Sequence, residues 1–500
     1  MNRNERRARA KQQSKTVAAL HRRAGKAGSP KEALQASQRL FELGKAKAAL
    51  SGLKQAIATY PDDPDLRGAF AYALAATGQF VSAIREYRTL LDMQPDTAPA
   101  LTNLALLLVK TGNPDEARQC LERASALAPE HANTAFAFAE LLAQQKRTDE
   151  AFHQYRRAAT LFERKIGAEP GIQHCDDLIK LSTAQMWTGD LGPGLRSLDL
   201  AVGLRPDHAL ALARRGMVLV KLRRIPEAIA SLKLAATIEP NISHVRRTLG
   251  DVFLAGGDSA AAQKQFSEAS RIDPGDELAR YFLAAAKHES PDAPPPVYIT
   301  SLFDEYARNF EKHLVDMLQY RAPEQVCAAV LELAGARATN LRVIDLGCGT
   351  GLCGPLIRHA ACHLVGVDLS APMLDEARAK SVYDELTLGD VAQVLGGYAD
   401  AFDLALCTDV MIYLGNLTPI FSAAARALKS GALFAFTTES HDGEGFVLDT
   451  SKRYLHSRGY VENEAIRHGF AVVHFEPIVA RYESLKPDVH NLFIVRLGSL

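Results

Sequence analysis

The apolar positions in the first half of the chain recur at a fixed interval. Leu74, Leu108 and Leu142 stand 34 residues apart, and Leu219 and Phe253 repeat the same step further on. Smaller residues keep the frame. Gly44, Gly78 and Gly112 are followed five residues later by Ala49, Ala83 and Ala117, and seventeen residues later by Pro61, Pro95 and Pro129. Each period reads as two helices and two breaks. A glycine ends the first helix at a turn, small alanines let the pair approach, and large residues fill the space between. A proline stops the second helix because it cannot continue the hydrogen-bond ladder. The frame continues through Ala151 and Ala158 with Lys146 in place of the glycine, then through Gly189, Ala201 and Pro206, through Ala228, Ala235 and Pro240, and through Gly257, Ala262, Ala269 and Pro274. One gap is nine residues longer than the period, which predicts an irregular insertion near Ile166–Cys175. Ordinary amphipathic helices do not account for a fixed period.

After Lys287 the pattern changes. Ser290-Pro291-Asp292-Ala293-Pro294-Pro295-Pro296 predicts extended polyproline geometry, a semi-rigid spacer across which few contacts are needed. Beyond it, short apolar runs alternate with helical stretches. Leu341–Leu346, His363–Asp368, Leu386–Asp390, Phe402–Cys407, Ala432–Thr438, Phe470–Phe475 and Leu492–Val495 read as strands. That alternation predicts a doubly wound α/β sheet of seven strands, one of them antiparallel. The expected organisation is a basic disordered tail over 1–31, a helical repeat array over 32–290, a proline-rich linker over 291–299 and an α/β domain over 300–500.

Composition changes this picture little. The 500 residues are 47% hydrophobic and 23% charged, as in ordinary globular proteins. Lys plus Arg equal Asp plus Glu at 58 each, so no global field recruits nucleic acid or a membrane surface. No apolar run reaches the roughly 20 residues of a bilayer span. Seven scattered cysteines without a CxxC pair, together with no apolar leader, point to reduced thiols in a cytoplasmic protein and to no metal site. Residues 1–31 carry ten Lys/Arg against the single acid Glu5. Such a block reads as a solvated tail; a phosphate-binding arm or a transit peptide are the sharper alternatives, and Lys11, Lys15 and the lack of a continuous apolar face weigh against transit.

The chemistry lies after the linker. Asp345 stands two residues before Gly347-Cys348-Gly349-Thr350-Gly351, directly after the first strand. Leu352 occupies the place of the third glycine in a dinucleotide fingerprint, and no Gly-Lys-Ser/Thr is present, so neither that motif nor a P-loop is satisfied. The second strand ends in Asp368, 17 residues after Gly351, and Ser370 is placed to cap the next helix. Asp390 follows the third strand and Asp409 the fourth. Each has a plainer reading: a tight turn, a helix-start acid, a turn acid. In this order and on alternating elements, they converge at strand carboxyl ends, where open α/β sheets bind ligands.

The period of 34 resembles the tetratricopeptide repeat family in seven units, and residues 341–409 resemble the class I S-adenosylmethionine-dependent methyltransferases. The first resemblance implies an α-solenoid whose concave face binds a protein or peptide partner. The second implies a Rossmann-like domain whose cofactor, S-adenosylmethionine, meets Asp345, Gly347, Gly349, Gly351, the ribose-binding acid Asp368, the adenine-packing Leu369 and Met373, and the adenine-contacting Asp390. The segment Phe303–Arg321 resembles the helical cover of small-molecule and ubiquinone-type methyltransferases, with Tyr306 or Arg321 closing over the methionine end. The alternative is a scaffold helix with Tyr306 and Phe310 as core. Asp409, Tyr413 and His456, with Tyr454, are the candidates for a catalytic base, although alignment alone can suffice. His456 also reads as a helix-end residue. No Asn-Pro-Pro-Tyr-type segment follows strand four, which argues against the amide and nucleic-acid adenine enzymes. The expected function is therefore methyl transfer by a domain, residues 300–500, that binds its cofactor alone while the repeats recruit or position the acceptor. A repeat scaffold with a cofactor-binding but non-catalytic domain is the other reading.

Overall fold

The computed structural model describes residues 15–25, 27–307, 310–335, 339–483 and 486–498. The chain divides into two compact units, 1–228 and 229–500. The proline-rich segment therefore lies inside the second unit, not between two units as its composition predicted.

The first unit is a series of helix pairs with the expected breaks. The helix Pro64–Ala76 ends where Gly78 turns left-handed (φ +82°), and the helix Ala98–Lys110 ends likewise at Gly112 (φ +81°). Across these turns Gln79 N–H donates to Leu74 O (2.9 Å) and Asn113 N–H to Leu108 O (2.8 Å), which satisfies carbonyls the helix leaves open. Lys146 and Arg223 hold the same turn at φ +59° without glycine. The second helices stop at Thr59, Met93 and Leu127, two residues short of Pro61, Pro95 and Pro129. Ala83, Ala117, Ala151 and Ala201 are fully buried where the pairs approach. The irregular insertion is present as the turn at Gly167 and the 3₁₀ turn Ile172–His174.

The basic tail needs correction. Residues 1–14 lie outside the described residues, but 15–25 form a helix and Ala24 is fully buried. Val17, Leu20 and Ala24 recur at helical spacing, and Ala24 packs where Gly52 leaves no room for a side chain. A narrow stripe of small apolar residues outweighs the local excess of charge. The helix Pro30–Glu42 then begins behind the cap Ser29, two residues before the expected start of the array.

The second unit begins with the last repeat helices, including Ser243–Ala255, Ser259–Ile272 and Glu277–Lys287. Helices Pro296–Tyr306 and Ala322–Ala334 lead into the sheet. Its strands are β1 (Leu341–Leu346), β2 (Ala361–Asp368), β3 (Glu385–Leu388), β4 (Phe402–Cys407), β5 (Leu428–Ser440), β6 (Phe446–Leu448), β7 (Tyr454–His456), β8 (Phe470–Glu483) and β9 (Lys486–Leu497). The order runs β3-β2-β1-β4-β5, with the first five strands parallel. β9 pairs antiparallel with both β5 and β8, and is the one reversed strand among the seven expected. The seven expected strands are joined by two short ones, β6 and β7, a hairpin attached to the end of β5. β8 and β9 also run well beyond their apolar runs, to 14 and 12 residues, because polar residues continue the pairing to Glu483↔Lys486.

Strand alternation places the two cores. On β1, Ile344 and Leu346 enter one cluster with Phe421, Phe434 and Phe436, while Val343 faces the other with Val326, Ile357 and Ile494. Both faces are covered, as a parallel sheet requires. Asp345, fully buried in that setting, is the odd residue on its strand.

Candidate active site

The chain turns immediately after β1. Gly347 and Cys348 N–H both donate to Val367 O (2.8 and 2.9 Å), tying the loop to β2, and Gly349 N–H donates to Asp368 Oδ2 (2.9 Å). Gly347 and Gly349 adopt φ +68° and +56°, which side chains resist. A Cβ at Gly347 would stand 2.2 Å from Val410, whereas nothing lies within 4 Å of one at Gly349, which faces open space. Asp368 closes β2, and its Oδ1 accepts Ser370 N–H (2.8 Å). Ser370 caps the helix Ala371–Ala379 as expected, accepting Met373 N–H at 3.4 Å, and its hydroxyl donates to Asp304 (2.7 Å).

A cavity of about 610 Å³ stands over these strand ends. One wall carries Asp345, Gly347, Gly349, Asp368, Leu369, Met373 and Asp390. Gly351 stands behind it, against Tyr383 and Ala377. The other wall is apolar: Pro294, Pro296, Ile299, Leu302, Phe303, Phe310 and Leu314, with Ile412, Tyr413 and Leu414 opposite. The Phe303 and Tyr413 rings meet edge to face at 5.4 Å.

The polar wall is electrostatically loaded. Burial pushes the Asp345 carboxyl up to about 7; the Tyr383 hydroxyl, donating at 2.6 Å, pulls it down, and the Asp368 charge raises it again. Burial also raises Asp368, against the N–H groups of Ser370 and Gly349. Two acids in this state favour a ligand that brings positive charge.

A second set of charges closes the far end. Asp409, Arg453 and Arg481 line the cavity, and behind them lie Glu439, Asp488 and a fully buried His490. Arg481 meets Asp409 (3.2 Å) and Asp488 (2.7 Å), and Arg453 meets Glu439 (3.0 Å). His490 Nδ1 donates to Asp409 Oδ1 (2.9 Å), while its Nε2 faces Asp488 (3.4 Å) and Glu439 (3.5 Å). Burial opposes protonation of His490, but these acids push it up to about 11. Protonated, it makes three cations against three carboxylates. Asp409, φ +56°, is locked: burial would raise its carboxyl, but His490 and Arg481 hold it well below the ordinary range.

Comparison with known proteins finds two families along the chain. Residues 318–475 match the family model of a methyltransferase domain, and residues 40–107 and 96–164 match tetratricopeptide-repeat models. Similar sequences include malonyl-[acyl-carrier protein] O-methyltransferase of Salmonella typhimurium, 29% identical over 28% of this chain and 53% of that protein. Ubiquinone biosynthesis O-methyltransferase of Hahella chejuensis is 26% identical over 21% of this chain and 46% of its own. The chain carries a methyltransferase domain behind tetratricopeptide repeats. It spans about half the length of the curated relatives it matches. Among solved structures, magnesium protoporphyrin IX methyltransferase from Synechocystis is 16% identical with a TM-score of 0.32, over 40% of this chain and 94% of that one.

Class I methyltransferases use S-adenosylmethionine, and the polar wall fits it. The open space at Gly349 is a cradle that a side chain would fill, and the two raised carboxyls suit a cationic ligand. Other expectations fare differently. Arg321 is exposed, starts the helix Ala322–Ala334 and does not line the cavity. The side chain of Tyr306 lies outside the described residues. His456 is fully buried on β7, where Nε2 donates to Leu414 O (2.8 Å) and Gly415 O (3.2 Å), and burial lowers it to about 4. It does not line the cavity either. Tyr413 does line it, its hydroxyl pushed up to about 12 by burial. Asp409 is too acidic to take a proton near neutrality.

Sequence reasoning missed Arg481, Glu439, Asp488 and His490, and the linker residues on the wall. A signal was present: Arg481 and His490 interrupt apolar strands, and Arg481 stands directly opposite Asp488 across β8 and β9. Among the described residues no helix is long and apolar enough to cross a membrane.

Proposed function

We propose that the chain is an S-adenosylmethionine-dependent methyltransferase whose acceptor enters the apolar side of the cavity, and whose repeats recruit or position a protein partner or substrate. The observation that carries this reading is the convergence of the Gly347–Gly349 turn, Asp368 and Asp390 on one cavity wall. Asp368 would hold the ribose hydroxyls, Asp390 the adenine amino group, and Leu369 and Met373 the adenine faces. When bound, the cofactor supplies a methyl group already activated by its sulfonium.

The chain's own task is then alignment and exclusion of water, which together supply much of the rate. Phe303, Phe310 and Leu314 keep the acceptor side dry. None of the four expected bases is suited to removing a proton near neutrality: Asp409 is ion-paired, His456 faces backbone carbonyls, and Tyr413 and Tyr454 are neutral phenols, the latter outside the cavity lining. That supports an acceptor oxygen that arrives already ionised, in keeping with the O-methyltransferase names of the two relatives.

Calorimetric titration of the full chain with S-adenosylhomocysteine tests the reading. Asp368→Ala should weaken binding by roughly 2–4 kcal/mol, since two hydrogen bonds to a charged acceptor are lost. Unchanged affinity in the variant would overturn the ribose assignment, and no binding by the wild-type chain would overturn the function.

A further inference from the structure

The β6–β7 hairpin is gripped by the last repeat helices. Lys452, at its turn, forms an ion pair with Asp251 and stands 4.7 Å over the ring of Phe282. The Tyr281 hydroxyl donates to Lys452 O (3.0 Å). Leu448 and Tyr454 share one apolar cluster with Leu254, Phe266, Tyr281 and Phe282, and Leu448 N–H donates to Ser290 Oγ (3.0 Å). Lys452 holds φ +68°, a turn that a lysine adopts only at a cost, so its side-chain contacts help to fix it.

The same hairpin bears on the cavity in two ways, one direct and one through the backbone of a neighbouring segment. Arg453, next to the gripped lysine, lines it. His456 donates to the carbonyls of Leu414 and Gly415, in the segment that puts Ile412, Tyr413 and Leu414 on the apolar wall. The linker holds that segment from the other direction, with Asp292 O accepting Gly415 N–H (3.0 Å) and Asn416 N–H (2.9 Å). Packing at Gly415 is tight: a Cβ there would meet Phe446 and Tyr454 at 2.7 Å and Asp292 O at 2.8 Å.

We propose that the last repeats are a structural part of the acceptor pocket: through Lys452 and His456, acting as positioning residues, they set Arg453 and the 412–414 wall. His456 is thereby assigned as a neutral donor that orders backbone, in place of a base. The assignment of this wall to the acceptor rests on the function proposed above; the mechanical coupling does not.

Hydrogen exchange on the full chain tests it, with Lys452→Gly, which suits the left-handed turn but cannot grip, and Lys452→Arg, which keeps the charge. Lys452→Gly should speed amide exchange at 411–416 at least tenfold, leave 347–351 and the affinity for S-adenosylhomocysteine within twofold, and be rescued by Lys452→Arg. Faster exchange confined to 446–456, no change at all, or equal behaviour of the two variants would overturn the coupling. Loss of S-adenosylhomocysteine binding by the wild-type chain would instead count against the cofactor reading, and the exchange result would stand independently.

Discussion

The two walls of the cavity are built in opposite ways. The cofactor-type wall comes from residues 345–390, a contiguous stretch in which strand ends, a glycine turn and helix caps place each group through local backbone bonds. The acceptor-type wall is assembled from 293–320, 408–414, 453 and 481. Its geometry depends on a charge cluster and a gripped hairpin, both made of contacts between distant segments. A locally built wall tolerates loss of remote structure, whereas an assembled one does not.

Shortening the chain exposes that difference most strongly. A chain of residues 300–500 loses the cavity residues Pro294, Pro296 and Ile299 and uncovers Leu448 and Tyr454. Exposing two such side chains costs about 1.5–3 kcal/mol each, so destabilisation of roughly 3–6 kcal/mol is expected relative to residues 229–500. Denaturant midpoints of the two shortened chains measure it. Equal stability would mean that the repeats contribute nothing to the domain, as the linker's composition alone had implied.

The charge cluster should give a slightly smaller effect. His490→Leu leaves three carboxylates facing two guanidiniums in a buried place, and removal of one partner from such a set costs about 3–5 kcal/mol. The sign with pH follows from a folded-state value near 11 against an ordinary 6.5. The stabilisation is complete below the unfolded value and is lost as pH rises towards the folded one. Wild-type stability should therefore decline between pH 7 and 10 with a component that the variant lacks. Parallel melting curves for the two proteins across that range would remove His490 from the account.

Legibility in the sequence follows the same division. The repeat period, the glycine turn, Asp368, the Ser370 cap and Asp390 are all signalled within a few residues of where they act, and the structure puts Asp368, Leu369, Met373 and Asp390 on one wall. Arg321 and His456 were misread because type and approximate position do not reveal direction: one starts an exposed helix, and the other points at backbone carbonyls. The β6–β7 hairpin has strands of three residues, too short for alternation to show. The proline run looked like a spacer because composition reports stiffness, not what packs against it. The helix over 15–25 was hidden by its arginines, although Val17, Leu20 and Ala24 carried the stripe.

The subtlest test separates the walls by pH. Asp345 is buried on the polar wall with its carboxyl near 7 in the free protein, facing Tyr383, Asp368 and the thiols of Cys348, Cys353 and Cys407. A bound cation favours the ionised carboxylate, so S-adenosylmethionine should bind the deprotonated form more tightly and release part of a proton. Affinity then rises with pH through about 7, by at most tenfold per unit, or about 1.4 kcal/mol. The informative window is roughly pH 5.5–7.5, below the range in which an α-amino group such as the ligand's own titrates. Calorimetry in two buffers of different ionisation enthalpy counts the proton. Tyr383→Phe sharpens the assignment: it removes the hydroxyl that pulls Asp345 down, so the rise in affinity should move to higher pH. A change at Asp409, whose carboxyl stays ionised throughout this window, should leave the profile in place. A flat affinity from pH 5.5 to 7.5, or a profile that ignores Tyr383, would show that the cation does not sense Asp345, and that the polar wall is preorganised by its backbone turns alone.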